Sequence, residues 1–79
     1  MTGGSRVAPA VGMDATVTHY AVREAATIVE VSDRGRRVTV RVESDGQLVV
    51  FTLRASGRFI QTGEDANGGT RLGVGRHPV

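Results

Sequence analysis

The stretch from Arg37 to Arg54 constrains the fold most, because it has the pattern of a single β-hairpin. Polar and apolar residues alternate from Arg37 to Glu43, and the segment from Leu48 to Leu53 after Asp45-Gly46 is rich in apolar strand-forming residues. Asp-Gly favours a two-residue type I′ turn, in which both residues need a positive φ. The turn predicts three apolar cross-strand pairs on one face: Val42 with Val49, Val40 with Phe51, and Val38 with Leu53.

The length and composition of the chain indicate a small domain without disulfide cross-links. Seventy-nine residues suffice for one small domain with tails. The absence of cysteine excludes disulfides and thiolate metal sites. No run approaches the roughly 18 apolar residues of a membrane helix, and Met1 to Gly12 lacks the pattern of a signal peptide. We therefore expect no membrane association, and the absence of cysteine fits a cytosolic or intravirion setting.

The chain divides into three parts by composition. Residues 1–12 are small, polar and contain Gly and Pro, which predicts a disordered arm. Residues 13–75 carry the strand patterns and form the predicted domain, and residues 76–79 form a tail. Ala21 to Ala26 has helix-forming residues but is too short for a stable helix, so a single turn, a loop and a lead-in to the next strand all stay open.

The reversal between the second and third strands has two possible registers. A four-residue loop at Ser32 to Gly35 would place Val29 opposite Val38, whereas a two-residue loop at Arg34-Gly35 would place Val31 there. Both registers keep Val29 and Val31 on the face of Val38.

Five or six short strands joined by tight turns predict an all-β fold. Strands this short usually close into a barrel, because closure removes the exposed edges. We predict a small five- to six-stranded, SH3-like barrel; an open sheet that dimerises is the alternative. The predicted core comprises Val17, Val29, Val31, Val38, Val40, Val42, Val49, Phe51, Leu53, Phe59 and Leu72.

No pattern in the chain indicates catalysis or a bound cofactor. His19 stands without a second nearby histidine, and zinc sites need three or four nitrogen or sulfur ligands. Glu64-Asp65 lies in a Gly-rich loop that lacks the spacing of a calcium loop. The glycines of Gly73-Val74-Gly75 lack the Gly-Lys-Ser/Thr of a phosphate loop. We expect a protein that is not an enzyme and needs no cofactor or metal.

The basic residues offer the best candidate for a binding surface. All ten are arginine, and they give a modest formal net charge of +2. Arginine suits bidentate contacts to carboxylate or phosphate, although a GC-rich genome would also favour it. The predicted register places Arg37 opposite Arg54, and like charges facing each other either need a neutralising neighbour such as Glu30 or await an anionic partner. The predicted macromolecule-binding residues are Arg36, Arg37, Arg41, Arg54 and Arg58.

Four segments of the chain resemble a known group of proteins: Val11–Thr16, Ala26–Val31, Phe51–Arg54 with Gly57-Arg58-Phe59, and Gly69–Gly75. The resemblance spans about residues 11–75 and is to small β proteins of unassigned function from bacteriophages and prophage-carrying bacterial genomes. Those proteins have Ser-Asp-Arg in place of Ala21-Val22-Arg23 and Trp in place of Phe59, with a longer central hairpin and an aromatic tail. The resemblance implies a phage-related setting and supplies no catalytic residues.

Three functions are compatible with these observations. The first is a non-enzymatic barrel that binds a protein partner, as a virion accessory protein or as an inhibitor of a host factor. The second is nucleic-acid binding through the same arginines, which the scarcity of exposed aromatic residues disfavours. The third is an assembly subunit that adds strands edge to edge. We expect a protein partner, and a monomer or weak homodimer.

Overall fold

The computed structural model describes residues 8–63 and 69–75, which form six strands and no α-helix. The strands are β1 (Asp14–His19), β2 (Val22–Ser32), β3 (Arg37–Val42), β4 (Leu48–Leu53), β5 (Phe59–Gln61) and β6 (Thr70–Val74). β2 begins at Val22, so the segment from Ala21 to Ala26 is the lead-in to a strand.

The strands close into one antiparallel barrel in simple sequence order. Each strand pairs with the next, and β6 pairs back with β1 through Ala15 opposite Val74 and Val17 opposite Leu72. The prediction of a small, closed all-β barrel is confirmed, at six strands. Because each of the six described strands has a neighbour on both sides, they form a closed barrel and not the dimerising open sheet considered above.

The barrel interior is filled mainly by small branched side chains around one aromatic ring. Phe51, Ile28, Ile60, Val38 and Val40 are the largest fully buried side chains. The other buried apolar residues are Ala15, Val17, Ala26, Val42 and Leu72. Sequence reasoning missed Ala15, Ala26, Ile28 and Ile60. Five predicted core residues are only half-buried: Val29, Val31, Val49, Leu53 and Phe59.

A bulge in β2 explains why Ile28 replaces Val29 in the core. Ile28 lies opposite Val40 and Glu30 lies opposite Thr39, so Val29 is an extra residue without a partner on β3. An extra residue shifts the alternation of side chains by one position. Ile28 therefore points inward on one side of the bulge, and Val31, opposite Val38, points inward on the other.

The loop between β3 and β4 differs from the predicted two-residue turn. Val38 lies opposite Phe51 and Val40 opposite Val49, so each partner is displaced by two residues from the predicted register. The loop has four residues, from Glu43 to Gly46, and of these only Gly46 has a positive φ, of 72°. A displacement of two keeps every side chain on its predicted face.

Hydrogen bonds to β2 and within the loop explain why the chain reverses over four residues instead of two. The Glu43 amide donates to the Ala25 carbonyl at 3.0 Å, and the Ser44 hydroxyl donates to Glu24 at 3.2 Å. The Gln47 amide donates to the Asp45 carboxylate at 2.9 Å, which is the local bond that aspartate makes in turns. Glu43 and Ser44 thus bond to β2 rather than to β4.

The segment before β1 partly overlaps the predicted arm. The Gly12 amide donates to the Ile28 carbonyl at 2.8 Å, and the Met13 amide donates to the Ala10 carbonyl at 3.1 Å. Pro9 is half-buried. Residues 1–7 of the predicted arm, the predicted tail at 76–79, and the Glu64-Asp65 loop lie outside the described residues.

Candidate binding site

Two turns meet at one end of the barrel and bring four arginines with them. The β2–β3 turn carries Arg34 and Arg36, and the β4–β5 turn carries Arg54 and Arg58. The Leu53 amide donates to the Arg36 carbonyl at 2.7 Å, and the Arg54 amide donates to the Arg58 carbonyl at 2.8 Å. These backbone bonds tie the two turns to the same end, which we call the arginine end and define by these four residues.

The β2–β3 turn has the two-residue form, with Arg34-Gly35 at its centre. The Arg36 amide donates to the Asp33 carbonyl at 3.0 Å, Arg34 has φ 58° and ψ 36°, and Gly35 has φ 86°. These values are those of a type I′ turn, so the register with Val31 opposite Val38 is confirmed.

The same turn is strained, because two of its residues other than glycine have left-handed backbones. Asp33 has φ 54° and Arg34 has φ 58°. Aspartate tolerates this region, whereas a long side chain such as arginine occupies it at a cost of about 1–2 kcal/mol. Strain of this kind concentrates at functional sites, where the surrounding structure holds it in place.

An apolar cavity of about 440 Å³ opens at the arginine end. Its apolar lining consists of Ala8, Pro9, Val31, Leu53 and Phe59. Arg34 and Gly35 of the strained turn complete the wall. We call this space the end cavity. Its volume lies within the range of ligand pockets, and its combination of an apolar lining with a charged rim is typical of them.

The other three arginines of the arginine end lie close to residues that line the end cavity. Arg36 and Arg54 line a separate depression together with Leu53, whose side chain also lines the end cavity. Arg58 directly precedes Phe59 of the cavity wall. Arg34 therefore lines the apolar opening itself, Arg36 and Arg54 lie on the adjoining surface, and Asp33 is the acidic residue that the turn contributes.

The two remaining predicted arginines lie along β3. Arg37 lies opposite Thr52 and Ser32, and therefore does not face Arg54 as the predicted register required. Arg41 lies opposite Leu48, near the other end of the strand. At about 3.3 Å per residue, Arg41 is about 13 Å along β3 from Arg37. Arg37 thus adjoins the arginine end, and Arg41 lies apart from it.

The arginines of this region have no anionic partner within residues 8–63 and 69–75. Arg34, Arg36, Arg37 and Arg58 are exposed, and Arg54 is half-buried. None of the five side chains forms an ion pair or a side-chain hydrogen bond in this part of the chain. Their positive charges are available to a ligand.

The opposite end of the barrel holds a small polar and aromatic cluster. His19 Nδ1 lies 2.5 Å from the buried Thr70 hydroxyl, and the His19 ring packs edge-on against Tyr20 at a centroid distance of 4.7 Å. Tyr20 is 77% exposed and has φ 55°. No group of three or more His, Asp or Glu residues suited to a metal occurs in the described ranges.

The predicted binding residues omit Arg34, and sequence reasoning missed the end cavity. Val31, Leu53 and Phe59 are the last inward-facing residues of their strands at the arginine end. The sequence pattern places all three in one continuous core. A barrel has a finite length, so its last apolar layer is open to solvent unless a loop covers it. The position of these apolar residues at strand ends, together with the turn-forming pair Arg34-Gly35, could have predicted an apolar cavity beside an arginine.

In the described part of the chain, no helix is long and apolar enough to cross a membrane. No protein-family model, curated protein or solved structure matches the chain.

Proposed function

We propose that this protein is a non-enzymatic binding module whose arginine end binds an acidic segment of a partner protein. The observation that carries the proposal is a cluster of arginines beside an apolar cavity, assembled from two separate turns and without an ionic partner among residues 8–63 and 69–75. Arginine binds carboxylates with two parallel hydrogen bonds, and an apolar pocket adds the desolvated anchor that protein interfaces need.

The cavity favours a protein over a nucleic acid as the partner. Proteins that bind single strands combine arginines with exposed aromatic rings on which bases stack. The aromatic residue at the arginine end is Phe59, which is half-buried, whereas the exposed Tyr20 belongs to the opposite end. A protein segment can supply both an apolar side chain and carboxylates.

Nucleic-acid binding is the second candidate, and the placement of Arg37 and Arg41 favours it. Both are exposed and share the outward face of β3, so they place two positive charges along one strand. Such charges could contact a phosphate backbone, and the binding would weaken steeply as salt is added.

The setting that we propose is phage-related, with the protein acting in a virion or on a host factor. The support for this setting is the sequence resemblance described above, and the proposed binding mode does not depend on it.

Selection from a displayed library of random heptapeptides tests the proposed function. We expect the wild-type protein to enrich peptides rich in aspartate and glutamate, and the double variant Arg36→Glu/Arg54→Glu to lose that enrichment. The matched control is Arg41→Glu, which reverses a charge away from the arginine end and should retain enrichment. Enrichment of basic peptides, or of none, would refute the proposal.

Fluorescence anisotropy with labelled single- and double-stranded oligonucleotides tests the second candidate. We expect no binding at physiological salt. Binding in the micromolar range that weakens with salt, and is lost in Arg37→Glu/Arg41→Glu, would replace the protein-binding proposal with the nucleic-acid one.

A further inference from the structure

We infer that the end cavity holds one apolar side chain of a linear acidic peptide, and that Arg34 pairs with a carboxylate next to that side chain. The inference rests on the proposed function and specifies its partner as an extended segment in which an apolar residue is flanked by aspartate or glutamate.

The lining of the cavity determines the apolar part of this ligand. Val31, Leu53 and Phe59 are half-buried and converge from three strands, and Pro9 closes the wall from the segment before β1. None of these four side chains carries a hydrogen-bonding group. An apolar side chain entering the cavity removes apolar surface from water on both partners, whereas a polar one would lose its hydrogen bonds to water.

The rim of the cavity determines the charged part. Arg34 lines the cavity and is also exposed, so the apolar wall and a positive charge adjoin each other at this residue. Arg36 and Arg54 lie around the neighbouring depression, which shares Leu53 with the cavity. A carboxylate next to the inserted side chain would therefore meet Arg34, and a second one would meet Arg36 or Arg54.

The backbone of Arg34 supplies an independent argument that this residue serves binding. Its φ of 58° suits glycine or asparagine, and Asn-Gly is the preferred pair for a type I′ turn. Arginine at this position therefore reduces the stability of the turn. Residues that lower stability in this way are typical of functional sites.

The substitution Arg34→Asn separates binding from folding. We expect the melting temperature to rise by a few degrees, because Asn-Gly relieves the strain. We expect affinity for the selected peptide to fall about tenfold, as loss of a charge-assisted hydrogen bond would produce. Arg41→Gln is the control and should leave affinity unchanged. If Arg34→Asn also leaves affinity unchanged, the role assigned to Arg34 is refuted.

The selected peptide itself tests the cavity. When the peptide is added, we expect the chemical shifts of the protein's backbone amides to change most at Val31, Gly35, Leu53 and Phe59. We expect the affinity of the peptide to drop when its apolar residue is changed to serine. If acidic peptides are enriched but need no apolar residue, this inference is refuted while the proposed function stands. If no acidic peptide is enriched, both are refuted.

Discussion

The turns before and after β3 lie at opposite ends of the barrel and reverse the chain in different ways. The first uses two central residues, Arg34 and Gly35, and both have left-handed backbones. The second uses four residues from Glu43 to Gly46, and of these only Gly46 is left-handed. The first turn adjoins a cavity, whereas side chains of the second bond to β2 and to the loop itself.

The first turn exposes a positive charge on a strained backbone, whereas the second turn is stabilised by side-chain hydrogen bonds. In the second turn the Asp45 carboxylate accepts a hydrogen bond from the Gln47 amide, and Glu43 accepts one from the Thr27 hydroxyl. In the first turn Arg34 has no such bond within the described residues and has a strained backbone. We therefore expect substitution of Arg34 in the first turn to affect stability and binding in opposite directions, and substitutions in the second turn to affect stability alone.

The largest effect on stability is expected for Gly35→Val. Gly35 has φ 86° in a turn with no spare residue to rearrange, and a β-branched side chain resists that conformation. We expect a loss of about 2 kcal/mol, measured by urea denaturation. Gly35→Asn is the control, since asparagine tolerates a positive φ. Equal losses for the two variants would contradict the type I′ geometry.

Gly46→Val should destabilise the protein by less, about 1 kcal/mol. Gly46 has φ 72°, but a Cβ built there meets no atom within 4 Å, and a four-residue loop can adjust. The same denaturation measurement gives the difference between the two glycines. A loss greater than that of Gly35→Val would mean that the second turn is the tighter one.

Asp45→Ala should have the smallest effect, about 0.5 kcal/mol, because it removes one exposed hydrogen bond to the Gln47 amide. This position also distinguishes the two registers. In a two-residue Asp-Gly turn Asp45 would have a positive φ and alanine would be strained there, whereas in the four-residue loop Asp45 does not. Asp45→Val should accordingly behave like Asp45→Ala, and a much larger loss for valine would restore the two-residue turn.

The buried faces of β3 and β4 were predictable from the sequence, and the register between these two strands was not. Val38, Val40, Val42 and Phe51 are buried as the alternation indicates. The register around Asp45 depended on bonds from Glu43 and Ser44 to β2, a strand distant in sequence. The bulge at Val29 carries no local signature, because Thr27 to Val31 is equally suited to a regular strand.

Most arginines of the candidate site were predictable from the sequence, whereas the cavity beside them was not. Arg36, Arg54 and Arg58 were identified from the sequence and lie at the arginine end. Arg41 was identified with them but lies along β3, because it follows Arg37 by four positions in an extended strand. The cavity was not predictable, since the termini of the inward-facing runs become an opening only once the barrel has closed.

The pairing of β1 with β6 brings together two points that are far apart in the sequence. The Gly75 amide donates to the Asp14 carbonyl at 2.8 Å, so the first and last strands of the barrel meet where the described domain begins and ends. A short linker could join these points, and the exposed loop at Glu43 to Gly46 could then be opened to give new termini. Such a circular permutant would keep every strand neighbour, but it would make the β1–β6 pairing local and the β3–β4 pairing distant in sequence. We therefore expect the hairpin that forms early in folding to change from β3–β4 to β1–β6.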